Sequence, residues 1–158
     1  MRLMIKQRVF AWTDTYDIYD ECGNKKYFVK SEEFRLTHQV HVYDIAGNEI
    51  GLISQRLFTF LPTFDISVGG RPCGSIRKEF TFFKPSYSIE YGGWQCDGDF
   101  LSWNYSVTAG SRLVANIAKQ FLSWGDTYTL DISDPGDEIM ALMLAIAIDA
   151  ANCSQNNN

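Results

Sequence analysis

Tyr19-Asp-Glu-Cys-Gly-Asn24 returns as Tyr43-Asp-Ile-Ala-Gly-Asn48, and the likeness continues beyond the turn. Val29 matches Ile53, Phe34 matches Phe58, Val40 matches Phe64 and Val42 matches Ile66, all at a spacing of 24 residues. A further copy lies 23 residues on, where Ile76, Phe80, Phe83, Pro85, Tyr87 and Ile89 stand for Ile53, Leu57, Phe60, Pro62, Phe64 and Ile66. Another follows after 41 residues as Ile117, Phe121, Trp124, Tyr128 and Leu130, and the opening residues Ile5, Val9, Trp12, Tyr16 and Ile18 supply the fifth. Self-similarity at such a period means that one supersecondary unit is being repeated.

Each unit is a run of β-branched and aromatic residues, a turn carrying Pro, Asp or Gly, and a second run alternating apolar with polar. That is the pattern of a β-hairpin. In Phe64-Asp-Ile-Ser-Val68 and Tyr87-Ser-Ile-Glu-Tyr91 the alternation puts the apolar side chains on one face. The longer last interval holds an extra hairpin, Trp94 to Asp97 and Ser102 to Val107, joined through Asp97-Gly98-Asp99. Five hairpins and the extra one predict about 12 strands, and a sheet of that width avoids aggregation-prone edges by closing into an up-and-down barrel.

A barrel of that size needs a filling. Asp134-Pro135 reads as a helix N-cap with proline at the first helical position, and Asp137 and Glu138 suit the positive end of the helix dipole. The residues from Ile139 to Ile148 are apolar all round, as in a helix enclosed by protein or lipid. A bilayer span needs about 20 such residues, so a core helix over about 135–152 is expected. The predicted architecture is mainly β, a closed barrel of antiparallel hairpins around a buried C-terminal helix. It forms a single domain over 1–153 with a disordered polar tail at 154–158.

Composition agrees. The chain of 158 residues is 46% hydrophobic and 15% aromatic, long enough and apolar enough for a large core. A net charge of −5 disfavours general attraction to nucleic acid or anionic lipid, leaving only a local basic patch. Cys22, Cys73, Cys96 and Cys153 are scattered singly and read as small apolar fillers in a reducing compartment, with no paired spacing of a zinc or redox site. Met1 begins a strand-like stretch without the order of a signal peptide, so a cytoplasmic, monomeric protein is expected, peripheral to a membrane if it meets one. No cofactor motif is present.

Several segments together carry a resemblance to a known family. They are Ile5-Lys-Gln-Arg8, Tyr43-Asp-Ile-Ala-Gly-Asn-Glu49, Phe80-Thr-Phe-Phe-Lys-Pro85, Gly98-Asp-Phe100, Trp124-Gly-Asp-Thr-Tyr128 and Ala147-Ile-Asp-Ala150. In this order they resemble the LURP-one-related family, bacterial members included, and more distantly the Tubby C-terminal domain and the phospholipid scramblases. The resemblance implies a barrel of about 12 strands around a central helix and implies no catalytic set. Tubby domains bind phosphoinositides through basic surface residues, but none of those residues matches a position in this chain.

Two groups of residues are candidates for binding. Trp12, Phe60, Phe83 and Trp124 occupy equivalent positions at the turns, together with Leu36, and would form either an aromatic rim for a partner or a plug folded over the helix. Burial of the rings favours the plug. Arg56, Lys78 and Lys119 precede the same turns, as does Arg8, with Arg77, Lys84 and Arg112 nearby. Arg56, Arg77, Lys78, Lys84 and Lys119 are thus the candidates for an anion or lipid head group, with ordinary solvated strand faces as the alternative.

The remaining polar residues have plainer readings. Asp97, Asp99, Asp134, Asp137 and Glu138 lack calcium-loop spacing and read as caps and turns. His38 and His41 point to opposite faces of one strand and have no nucleophile motif nearby. Asp149, the one charge late in the apolar helix, is expected to mark where the helix emerges. The function expected from these readings is non-enzymatic binding of an unknown protein partner by the barrel surface. Peripheral binding of an anionic phospholipid is the alternative, and an enzyme with an unrecognised site is third.

Overall fold

The computed structural model describes residues 1–6, 15–34, 37–122 and 125–153, without the side chains of 33, 34, 121, 122, 125, 126 and 153. The tail expected at 154–158 lies outside the described residues. Among those described, twelve antiparallel strands form one sheet. In chain order they are β1 (Arg2–Lys6), β2 (Thr15–Asp20), β3 (Lys25–Phe34), β4 (Thr37–Asp44), β5 (Glu49–Gln55) and β6 (Thr63–Val68). They continue as β7 (Arg71–Lys78), β8 (Tyr87–Glu90), β9 (Trp94–Asp99), β10 (Asn104–Ala109), β11 (Arg112–Leu122) and β12 (Gly125–Ile132).

The repeat is visible in the register. In all five copies the first and last apolar positions are cross-strand partners: Ile5 with Ile18, Val29 with Val42, Ile53 with Ile66, Ile76 with Ile89, and Ile117 with Leu130. Opposed β-branched and aliphatic side chains on the inner face are the unit of sheet stabilisation, so each copy carries its own register. The two matching turns are also chemically identical. Asp20 accepts from the backbone N–H of Cys22 and Asn24 and from the Asn24 side chain, and Asp44 does the same with Ala46 and Asn48. Gly23 and Gly47 hold φ of 82° and 86°, a region that other residues enter only at a cost.

One connection differs from the expected one. Asp97-Gly98-Asp99 continues β9, and the turn to β10 is 100–103 instead. Asp99 caps that turn by accepting from the Ser102 N–H at 3.2 Å and the Ser102 hydroxyl at 2.9 Å. An aspartate at the end of a strand bonds forward into the turn, so it stands one turn earlier than a turn residue would.

The strand order runs β8-β7-β6-β5-β4-β3-β2-β1-β12-β11-β10-β9, so the sheet curls into a barrel whose two edges, β8 and β9, face one another without a ladder. The expected closed barrel is therefore nearly closed. A short 3-10 turn over Pro135–Asp137, capped by Asp134 accepting from the Gly136 N–H at 2.8 Å, leads into helix α1 (Glu138–Cys153). Every residue from Met140 to Ala151 is buried, which is why this helix is apolar all round. It packs closely on β5, where a Cβ at Gly51 would stand 2.4 Å from the Met143 sulfur.

The cysteine expectation needs correction. Cys22 and Cys73 are exposed, one in a tight turn and one on the outer side of β7, and Cys96 is half-buried. Two of the three described thiols therefore fill no part of the core.

Candidate functional site

The helix gives the barrel two distinct ends. Its first residue, Glu138, accepts from the Tyr27 hydroxyl at 2.7 Å and pairs with Lys26 at 2.5 Å, beside the tight Gly-Asn turns. Near its other end the Asn152 side chain donates to the Phe100 carbonyl at 3.1 Å and accepts from the Tyr87 hydroxyl. Among the described residues, the turns at this second end are 56–62 between β5 and β6, 79–86 between β7 and β8, and 100–103.

Turns 56–62 and 79–86 carry the site. Phe58, Phe60, Phe82 and Phe83 are 99%, 94%, 86% and 98% exposed, and Phe80 is 68% exposed. Internal bonds hold these turns in shape. The Arg56 N–H donates to Thr63 O at 2.8 Å, the Glu79 N–H donates to Ser86 O at 2.7 Å, and the Thr81 hydroxyl donates to the Lys84 carbonyl. The Lys78 N–H donates to Pro62 O at 2.9 Å and ties the 56–62 turn to the end of β7, where the 79–86 turn begins. Phe58 has φ of 56°, an uncommon conformation for a large side chain, and its ring stands in solvent.

Phe60 and Phe83 do not plug the barrel, contrary to the expectation from burial. Trp12 and Trp124, like Leu36 and Arg8, lie outside the described residues. The mouth is filled by rings from the extra hairpin. Phe100 and Trp103 are buried, Phe100 meets Tyr87 edge to face at 5.0 Å between centroids, and Trp103 lies 4.1 Å from Tyr128. With Phe100 and Trp103 buried there, Phe60 and Phe83 stay in solvent. The signal available in the sequence was that Phe100 and Trp103 fall outside the repeat at a turn.

The basic candidates do not form one ring. Arg56 and Arg77 stand near the exposed phenylalanines, but Arg56 is bound through two nitrogens to Asp65, at 3.2 and 2.5 Å, and Arg77 donates to Glu79 at 3.3 Å. Lys84 is exposed on the 79–86 turn. Lys78 is 7% exposed, and burial lowers its pKa. Lys119 sits on β11 beyond the seam, 5.9 Å from the Tyr128 ring centroid. Arg112 is at the opposite end of the barrel, on Asp137 at 2.6 Å.

The buried titratable groups fall in two places, His38 on β4 and Tyr105 with Asp149, Cys96 and Tyr87 near enough to act on it. His38 is buried, with its pKa pushed down to about 4 by desolvation, and His41 faces outward on Glu49 at 2.7 Å. Asp149 is buried within the barrel and so does not mark the helix exit, which corrects the expectation. Burial pushes its carboxyl up to about 8, so it stays protonated at neutral pH. The Tyr105 hydroxyl, buried with no hydrogen-bond partner among the described residues, is held well above its ordinary value by desolvation first and Asp149 second. The Cys96 thiol is pushed up to about 12 by desolvation and then by Asp97, which makes it a poor nucleophile.

Comparison with known proteins follows the same lines. The model of the LURP-one-related family matches residues 1–149. The Bacillus subtilis (strain 168) protein YxjI, itself uncharacterized, is 32% identical over 149 residues, covering 94% of this chain and 92% of that protein. The X-ray structure of an Arabidopsis thaliana protein superposes with a TM-score of 0.62 at 15% identity, covering 94% of this chain and 90% of the other, a likeness of fold. Among the described residues no helix is long and apolar enough to cross a membrane.

Proposed function

We propose, from the premise that the chain belongs to the LURP-one-related family, that it is a non-enzymatic binding protein whose phenylalanine-bearing turns dock on an apolar surface of a protein partner. One observation carries this reading: five phenylalanines are exposed on two adjoining turns at one end of the barrel. A cluster of exposed large rings is unusual on a monomer and is the ordinary composition of an interface core. Each ring stands to gain roughly 1.5–3 kcal/mol on full burial, and the internal bonds of the turns reduce the ordering cost of binding.

A binding role is further supported by the enclosure of the titratable groups. Catalysis calls for such groups to converge on a space that a substrate can enter. His38, Cys96 and Asp149 instead have their charged or reactive forms suppressed by burial.

A second reading has its own observation. Lys84 lies between Phe83 and Pro85 on the exposed 79–86 turn, so the same rings beside one cation would suit insertion at a lipid interface. Against it stand the net charge of −5 and the engagement of Arg56 and Arg77 by carboxylates.

One pair of assays separates the two readings. The protein and a Phe58→Ser/Phe60→Ser/Phe83→Ser variant are used as baits in a lysate of the source cells, and both are sedimented with neutral and anionic vesicles. The expected result is a protein retained by the wild type and lost from the variant, with no vesicle binding by either. Vesicle binding that the variant loses moves the function to lipid. Equal behaviour of both proteins in both assays removes the rim from the function altogether.

A further inference from the structure

Lys78 stands at the junction of the two phenylalanine-bearing turns. Its N–H is held by Pro62 O at the end of turn 56–62, and turn 79–86 begins at the next residue. It follows the buried Ile76 by two residues and pairs across the ladder with the buried Tyr87, so its side chain belongs to the inner face of β7. An inward-facing strand position at the base of the rim is thus occupied by a cation.

The neighbouring cations are already engaged. Arg56 is bound to Asp65 and Arg77 to Glu79, while Lys84 adds to the Ser102 bonds that lower the pKa of Asp99. Lys78 has no such counterpart: among the described residues it forms no ion pair, and desolvation alone shifts its pKa. Its stem is covered, but the ammonium is not sealed from water, the usual compromise of a lysine against apolar surface. Residues 56–65 and 77–86 together carry Arg56, Arg77, Lys78 and Lys84 against Asp65 and Glu79, an excess of positive charge on a chain whose net charge is −5.

A partner that buries the rings closes over this ammonium as well. Covering it with apolar surface alone would leave a buried charge unpaired, at a cost comparable with the gain from burying one or two rings. We propose that the rim takes an acidic protein segment, whose apolar side chains cover Phe58, Phe60 and Phe83 and whose aspartate or glutamate carboxylate accepts from the Lys78 ammonium. Such a charge-assisted bond is roughly twice as strong as a neutral one, and exclusion of water by the surrounding rings strengthens it. This inference rests on the reading of the rim as a protein-docking surface and names the chemistry of its partner.

The probe is a phage-displayed library of random peptides, panned on the intact protein and counter-selected on the Phe58→Ser/Phe60→Ser/Phe83→Ser variant so that rim binders are kept. These should share an aspartate or glutamate among apolar residues. In a double-mutant cycle, Lys78→Met should weaken them at least about tenfold, replacing the peptide's acid by its amide should do the same, and both changes together should cost little more than either alone. Lys78→Met keeps an unbranched apolar stem and should melt no lower than the wild type. A lower melting temperature would mean that the lysine has a partner within the chain and would overturn the proposal. Rim binders that lack an acid, or that bind Lys78→Met as tightly as the wild type, overturn it and leave the rim reading in place. If no peptide depends on the phenylalanines, both fall. Binding to anionic vesicles that is lost in Lys78→Met would assign the ammonium to a lipid head group and overturn it too.

Discussion

At the Gly-Asn end of the barrel the turn residues serve the fold. Asp20 and Asp44 each satisfy three donors, Glu138 joins the helix to Lys26 and Tyr27, and Arg112 holds Asp137. At the other end turns 56–62 and 79–86 hold five phenylalanines in solvent, and a protonated Asp149 and the Tyr105 hydroxyl are enclosed. The difference shows that turns 56–62 and 79–86 carry rings that the fold does not bury, whereas the Gly-Asn turns spend their side chains on their own shape, and it is in the former that a binding role has room to develop.

The largest expected effect tests whether the two ends share one core. Leu144 is fully buried midway along α1, and Leu144→Asp should cost several kcal/mol and unfold the whole domain, seen as loss of far-ultraviolet signal and of cooperative melting. A folded monomer would mean that the helix does not hold the ends together.

The next concerns the enclosed acid. The folded pKa of Asp149 is raised to about 8, above its ordinary value of 3.8, so the folded state binds the extra proton. This group's contribution is thus fully favourable below about pH 4 and is lost as pH rises through 8, by up to about 6 kcal/mol. The stability of Asp149→Asn relative to wild type, measured by urea melts from pH 4 to 9, should rise from pH 4 and level off above about 8. A difference that stays flat with pH would place the carboxyl in water.

The smallest effect sets the two ends side by side. Tyr27→Phe removes the bond to Glu138 and should cost about 1 kcal/mol. Phe83→Ser, at a ring 98% exposed, should stay within about 0.5 kcal/mol of wild type. Equal losses in urea melts would erase the division of labour between the ends.

Much of this architecture was legible beforehand. The pairs Ile5–Ile18, Val29–Val42, Ile53–Ile66, Ile76–Ile89 and Ile117–Leu130 could be read as equivalent positions because alternation and turn chemistry are local properties of a few residues. The helix over Glu138–Cys153 was equally plain, since an all-apolar stretch with an Asp-Pro start leaves few alternatives. The candidate sites were less legible. Phe60 and Phe83 read as a plug by the same burial argument that correctly placed the core, and Asp149 read as a helix exit because a carboxylate is costly to bury.

By itself the sequence determined the repeat, its registers, the turns and the central helix, because each depends on residues within one hairpin or one helix and on the period of their side chains. Only the tertiary structure decided which rings face solvent and where the barrel stays open. Whether Phe60 or Phe83 can be buried depends on the mouth being already filled by Phe100, Trp103 and Asn152, which come from other parts of the chain. Whether β8 zips to β9 depends on how the last turn of the sheet brings its edges together around the helix. Burial and closure are competitions for shared space, and a competition among distant residues leaves no periodic mark on any one of them.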